Sequence, residues 1–151
     1  MAQRIHRHIP EDSNPLQEKF INYIMLDGKK SIARTIFKDV MDEIKKKGHK
    51  NPETIFEKAI ETVEPSMEVR PKRIGGAVYQ IPMEVKPKRR IMLSFRWILS
   101  AARKEKGSPV AVRIARQLLD ASEGIGAAVK KKEDTHKMAA ANKAFAHYAR
   151  Y

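Results

Sequence analysis

With 151 residues and no cysteine, the chain suits one domain with a real core, and disulfides and thiolate metal sites are excluded. Its 31 lysines and arginines against 18 aspartates and glutamates give a formal charge of +13, a field that attracts nucleic acid, anionic membrane or an acidic protein. No apolar run reaches the roughly 18 residues of a spanning helix, because Arg96 and Arg103 interrupt the best candidate, and the N-terminus has no apolar signal core, so a soluble protein of a reducing compartment is expected.

Residues 1–12 read as a flexible basic tail carrying Arg4 and Arg7, and residues 13–151 as one helical domain. The expected fold class is mainly α: six helices, with a protruding two-stranded β-hairpin arm, residues 67–88, between the third and fourth. Ser13-Asn14-Pro15 leads into a first helix with Leu16, Phe20, Ile21, Ile24 and Met25 on its inner side, proline suiting the first turn. Ser31 is placed to cap a second, whose stripe is Ile32, Ile36, Phe37, Val40, Met41 and Ile44. Lys45-Lys46-Lys47-Gly48 ends it, with cations at the negative helix terminus and a glycine stop. Asn51-Pro52 opens a third helix, with Ile55, Phe56, Ala59, Ile60 and Val63 facing inward until Pro65.

The arm follows. Gly75-Gly76 tolerates the positive φ angles of a tight type I′ turn, and Ala77, Tyr79, Ile81, Met83 and Val85 alternate with Val78, Gln80, Pro82 and Glu84 at the period of a strand. Pro71, Pro82 and Pro87 lack a backbone donor, so the limbs should have free outer edges. A sixteen-residue repeat, Met67 to Arg73 and Met83 to Arg89, has no physical account at this level beyond similar composition. Beyond the arm, Ile91, Met92, Phe95, Ile98, Leu99 and Ala102 mark a fourth helix, and Ser108-Pro109 starts a fifth with Ala111, Ile114, Ala115, Leu118 and Ser122 inward. A loop from Gly124 to Lys132 is expected to lead to a last helix with Met138, Ala141, Phe145 and Tyr148 at helical spacing.

Catalytic readings fail. Gly28-Lys29-Lys30-Ser31 suggests a phosphate loop, but Tyr23 stands where the upstream glycine belongs. Gly124-Ile125-Gly126 lacks a dinucleotide fingerprint, with Val129 in place of its last small residue. The five histidines show no ligand spacing with a carboxylate, and no nucleophile–base pair can be argued, so neither enzyme, cofactor nor metal site is expected.

Charge is uneven. Residues 11–64 hold ten basic and eleven acidic groups, whereas residues 65–151 hold nineteen basic and seven acidic. The basic clusters are Arg4 and Arg7; Lys29, Lys30 and Arg34; Arg70, Lys72, Arg73, Lys86, Lys88, Arg89 and Arg90 on the arm; Arg96, Arg103, Lys104, Arg113 and Arg116; and Lys130-Lys131-Lys132 with Lys137 and Lys143. Each cluster is either a solvated face or a grip on a polyanion, and for Lys45 to Lys47 helix capping suffices. Lys130 to Lys132 sit where a helix start disfavours cations, which hints at an outside anion, although Glu133 and Asp134 supply first-turn charge. Tyr79 could stack on an unpaired base or ribose, and Trp97 packs against the arm's root or touches a ligand. These features describe a nucleic-acid-binding helical domain with a hairpin arm, and they also fit an architectural DNA-binding protein whose β-ribbon enters the minor groove. Cations on at least four separate elements favour a folded RNA embracing the protein on several sides.

Three segments carry a resemblance: Met25 to Ser31, Gly75 to Pro82, and Val85 to Arg90 with Phe95-Arg96-Trp97 and Ala101 to Lys104. Together with the ending from Ala128 to Tyr148, the most specific of all, they resemble the family of small-subunit ribosomal protein seven, bacterial type, from about Leu16 to the C-terminus. The resemblance implies a primary binder of small-subunit (16S-type) ribosomal RNA that nucleates assembly of the subunit head. Its implied place is the subunit interface near the decoding centre and the exit-site path of transfer RNA and messenger RNA. On that reading Arg4, Arg7, Lys29, Lys30, Arg34, Arg70, Lys72, Lys86, Lys88, Arg89, Arg90, Arg96, Arg103, Arg113, Arg116 and Lys130 to Lys132 hold ribosomal RNA. Arg73, Gly75, Gly76 and Tyr79, with Lys137 and Lys143 of the last helix, line the exit site, and His147 and Tyr148 lie near ribosomal protein eleven. Protein nine is the other implied neighbour, and the chain is a monomer within the ribosome, with no membrane partner and no cofactor. Family tails often begin with a dense arginine run where this one has Arg4 and Arg7 among histidines, and the stop at Tyr151 fits the shorter members. A bacterial cytoplasm is expected, although an organelle-encoded copy would look the same.

Overall fold

A computed structural model describes residues 9–11 and 13–150. The helices are α1 (Pro15–Ile24), α2 (Lys30–Lys46), α3 (Pro52–Val63), α4 (Pro87–Lys104), α5 (Val110–Ser122) and α6 (Ala127–Ala141), closed by a 3₁₀ helix, Lys143–Arg150. Strands β1 (Met67–Ile74) and β2 (Ala77–Glu84) form the antiparallel hairpin between α3 and α4. The mainly helical fold with an inserted hairpin is therefore as expected, with seven helical segments among the described residues in place of six.

Local chemistry sets the boundaries. Asn14 accepts the Gln17 amide on its side chain at 2.8 Å and Pro15 occupies the first turn of α1. Pro52 and Pro87 open α3 and α4 in the same way. Ser31 does not cap α2; that helix starts one residue earlier, behind a turn in which Asp27 and Gly28 both take positive φ, and it has no side-chain cap. The α2 terminus is as read, with Lys45 and Lys46 in the last turn and Gly48 at φ 94° after it.

Four phenylalanines from four helices make the centre of the core. Phe20 of α1 meets Phe56 of α3 and Phe95 of α4 edge-on, each at 5.1 Å between centroids, and Phe37 of α2 stands 5.7 Å from Phe56. Against this cluster α5 lays Ile114, Ala115 and Leu118, all fully or almost fully buried, and packs on α2, α3 and α4 together. Each large side chain of this kind, Ile114 or Leu118, removed from water is worth about 1.5–3 kcal/mol. Three stripe residues are misplaced: Ile32 and Met138 face solvent at 54% and 50% exposure, and Ala141 is exposed too.

The hairpin register pairs Ile74 with Ala77 and Met67 with Glu84, so Gly75 and Gly76 form a two-residue turn, both with positive φ (56° and 87°). The repeat gains a partial account. Its first two residues pair across the strands, Met67 with Glu84 and Glu68 with Met83, while its two prolines part company: Pro71 lies in β1 and Pro87 begins α4. The arm consequently ends at Glu84, and Lys88, Arg89 and Arg90 belong to the first turn of α4.

The C-terminal region differs most from expectation. Helix α6 begins at Ala127, inside the segment read as a loop, so Lys130 closes its first turn, Lys131 and Lys132 follow it, and Glu133 and Asp134 lie beyond. Gly126, at φ 98°, is needed there, since a Cβ would stand 3.0 Å from the Asp120 Cβ. The helix ends at Ala141 rather than continuing through Tyr148, and the 3₁₀ helix turns back onto β2.

Candidate nucleic-acid interface

The cations fall into two sets, those that bond a partner within the fold and those without one among the described residues. Glu18, buried in α1, takes a bidentate pair from Arg34 at 2.6 and 2.8 Å, with Lys30 at 3.4 Å. Burial alone would push the Glu18 carboxyl up, but its bonds to Arg34 and Lys30 outweigh that and hold it below the usual 4.5. Glu68, buried at the root of β1, accepts Arg70 Nε at 2.7 Å and Arg89 Nε at 2.9 Å on both carboxylate oxygens. Arg90 donates Nε to the Val85 carbonyl at 2.8 Å and stands 3.9 Å from Glu84.

Other basic groups close helix ends. Arg103 donates to the Tyr23 carbonyl at 3.2 Å and the Ile24 carbonyl at 3.4 Å, where α1 stops. Arg113 donates to the Ala102 carbonyl at 3.2 Å and also to the Glu105 carbonyl, satisfying the end of α4. Arg116 pairs with the Glu105 carboxylate at 2.9 Å. Lys132 donates to the Thr62 carbonyl at 2.7 Å near the end of α3, and Lys72 reaches the Tyr148 carbonyl at 3.2 Å.

Lys29, Arg73, Lys86, Lys88, Lys130, Lys131, Lys137 and Lys143 are exposed and make no ion pair or side-chain hydrogen bond among the described residues. Arg96 is exposed as well, with Cζ 6.0 Å from the centroid of Tyr23, and lines an open cleft of about 310 Å³ with Arg103 and Lys104. Arg4 and Arg7 lie outside the described residues. The dipole argument narrows to Lys130, because the helix field falls off past the first turn, where Lys131 and Lys132 stand, and Lys132 has an internal acceptor.

The hairpin is not a free ribbon. The 3₁₀ helix sets Phe145 5.1 Å and Tyr148 6.1 Å from the Tyr79 ring, and His147 lies 4.0 Å from Tyr148. Tyr79, read as an exposed stacking platform, is thus half-buried under its own chain, while Val78 and the glycine tip remain exposed. Trp97 packs against the core. At the other end, the Ser66 amide donates to His136 Nε2 of α6 at 3.1 Å, tying α6 to the start of the hairpin. Burial, and then the positive Lys132, hold the His136 ring below its ordinary 6.5. Sequence reasoning missed Glu18, Glu68 and His136, since no periodicity distinguishes a carboxylate that gathers cations from one on a solvated face.

Among the described residues no three His, Asp or Glu side chains gather as a metal site, and no helix is long and apolar enough to cross a membrane. The arrangement can do one thing well: present cations from several elements to an extended polyanion.

The family model for "Ribosomal protein S7p/S5e" matches residues 2–143. A small ribosomal subunit protein uS7 of Alkalilimnicola ehrlichii is 51% identical over 92% of this chain and 89% of its own. The uS7 of Dictyoglomus turgidum is 51% identical over 94% and 93%, and that of Francisella philomiragia 54% identical over 92% and 89%. With its basic faces and inserted hairpin, this chain belongs to the S7p/S5e family of ribosomal proteins.

Proposed function

We propose that the protein is a structural component of the small ribosomal subunit that binds its ribosomal RNA directly and nucleates folding of the subunit head. The observation that carries this reading is the separation of charge. Lys86, Lys88, Lys130 and Lys131 stand unpaired among the described residues on a hairpin root and two helices, joined by Lys29 on a loop, while residues 11–64 as a whole are near neutral. Phosphate contacts from several elements suit a folded RNA that surrounds the protein, whereas one groove of a duplex meets one face. Family membership supports the same reading.

In this reading the exposed hairpin tip, Arg73 with Gly75 and Gly76, reaches the exit-site path of transfer RNA and messenger RNA, with Lys137 and Lys143 beside it. His147 and Tyr148 lie toward ribosomal protein eleven, with protein nine as the further neighbour, in a bacterial cytoplasmic ribosome. The role is architectural rather than enzymatic. An architectural DNA-binding ribbon is the weaker fit, because the 3₁₀ helix covers one hairpin face as far as Tyr79.

The test is a salt titration of binding to a folded head-domain fragment of small-subunit ribosomal RNA, with duplex DNA of equal length as competitor. Affinity for the RNA retained against excess DNA is the expected result. Equal competition, with bending of the duplex, would replace this reading by the DNA-binding one.

A further inference from the structure

We infer that Glu68 is a positioning residue for RNA binding: it holds Arg70 and Arg89 on one carboxylate and leaves their free N–H edges to bond phosphodiester oxygens. The inference rests on the ribosomal RNA reading above and names a residue of opposite charge within it. Glu68 stands on the same face of β1 as Arg70, two residues apart, while Arg89 comes from the first turn of α4. The carboxylate is 7% exposed, in a position where an unpaired charge would be costly. Both guanidinium groups turn Nε toward it. Arg70 adds Nη2 at 2.6 Å, and Arg89 divides Nε between both oxygens at 2.9 Å.

The bonds leave Nη1 of Arg70 and both Nη groups of Arg89 without a partner among the described residues. The two side chains remain 49% and 39% exposed, so both guanidinium groups are open to a partner from solvent. Lys86 and Lys88 precede Arg89 on the chain entering α4, exposed and without a partner among the described residues. A planar guanidinium fixed at Nε offers its Nη edge in the fork geometry that phosphate accepts, and fixing it beforehand spares the rotamer entropy of binding. A carboxylate placed only to neutralise charge would weaken the field. One placed to orient two arginines strengthens the contact although it lowers the net charge by one. These two roles predict opposite signs.

The experiment is binding of the full chain to the folded head-domain ribosomal RNA fragment across a salt series, for wild type, Glu68→Gln and Arg89→Lys, with thermal melts as a fold control. Glu68→Gln makes the protein more positive yet is expected to lower affinity about three- to tenfold, the net scale of one ordinary hydrogen bond. In an Arg70→Ala, Arg89→Ala background the same change is expected to have no such effect. Arg89→Lys keeps the charge but loses the fork, and is expected to lose affinity similarly; it decides the matter if Glu68→Gln melts early. Wild-type or tighter binding by folded Glu68→Gln, or wild-type binding by Arg89→Lys, overturns the inference. Failure of the wild-type chain itself to prefer the RNA over duplex DNA would instead overturn the ribosomal RNA reading.

Discussion

Arg34 and Lys30 lower the Glu18 carboxyl below 4.5 in spite of its burial, and this ties the stability of α1 and α2 to pH. A depressed carboxyl stabilises the fold fully above its unfolded value, and the contribution disappears as pH falls through the folded one. Glu18→Gln is therefore expected to cost about 1–2 kcal/mol at pH 7. The gap in melting temperature between variant and wild type should narrow as pH falls below 4.5 and close once it passes the folded value, and a gap constant with pH would refute the linkage. His136 behaves with the same sign for a different reason. Its neutral ring accepts the Ser66 amide, and burial with Lys132 keeps it neutral below 6.5, so its contribution is complete above pH 6.5 and lost as pH falls. Proton-linked NMR titration should show His136 protonating below pH 6.5 as α6 loosens from the start of β1; protonation above 6.5 would contradict this. Arg113 is the converse case, a cation spent on structure. Arg113→Ala should cost about 1–2 kcal/mol through the orphaned carbonyls at the end of α4 while leaving RNA affinity within about twofold.

At the scale of elements, what was legible in the sequence follows from signal strength. Helices α1, α3, α4 and α5 carry stripes of large apolar residues and proline or asparagine starts, so their existence and inner faces were readable. The glycine turn fixed the hairpin tip. Helix α6 buries only Ala128, Val129 and Ala139, too small a stripe to show a period, and its two preceding glycines mimic a loop. Its end was misread because Met138, Ala141, Phe145 and Tyr148 keep helical spacing across Asn142, whose side chain donates to the Met138 carbonyl at 2.8 Å and closes the helix. Beyond it, three residues per turn align Phe145 with Tyr148 on one side, and that side meets Tyr79. The candidate site was legible as clusters of charge but not as roles, since capping by Arg103, Arg113 and Lys132 depends on which helix end lies opposite. Phe145→Ala should release Lys143–Arg150 from the hairpin at a cost of about 0.5–1.5 kcal/mol. Hydrogen exchange should then speed up in β2 around Tyr79 and leave α5 unchanged; unaltered exchange at Tyr79 would mean that the aromatic contact does not hold the segment.

The whole molecule is a four-phenylalanine core with its positive charge placed on one part of the chain. The first three helices are balanced, and the excess begins at the hairpin root and continues through α4 and α6. An interface of this kind gains affinity mainly from counterion release, so loss of each phosphate contact should flatten the salt dependence by up to about 0.7–0.9. The most direct test of the account is lysine reactivity toward an acylating reagent, read residue by residue by mass spectrometry, for the free protein and for its complex with the folded head-domain ribosomal RNA. Lys29, Lys86, Lys88, Lys130 and Lys131 should be protected in the complex, while Lys45, Lys47 and Lys58, exposed on the neutral scaffold, should react as in the free protein. Uniform protection, or protection centred on Lys45 and Lys47, would contradict it.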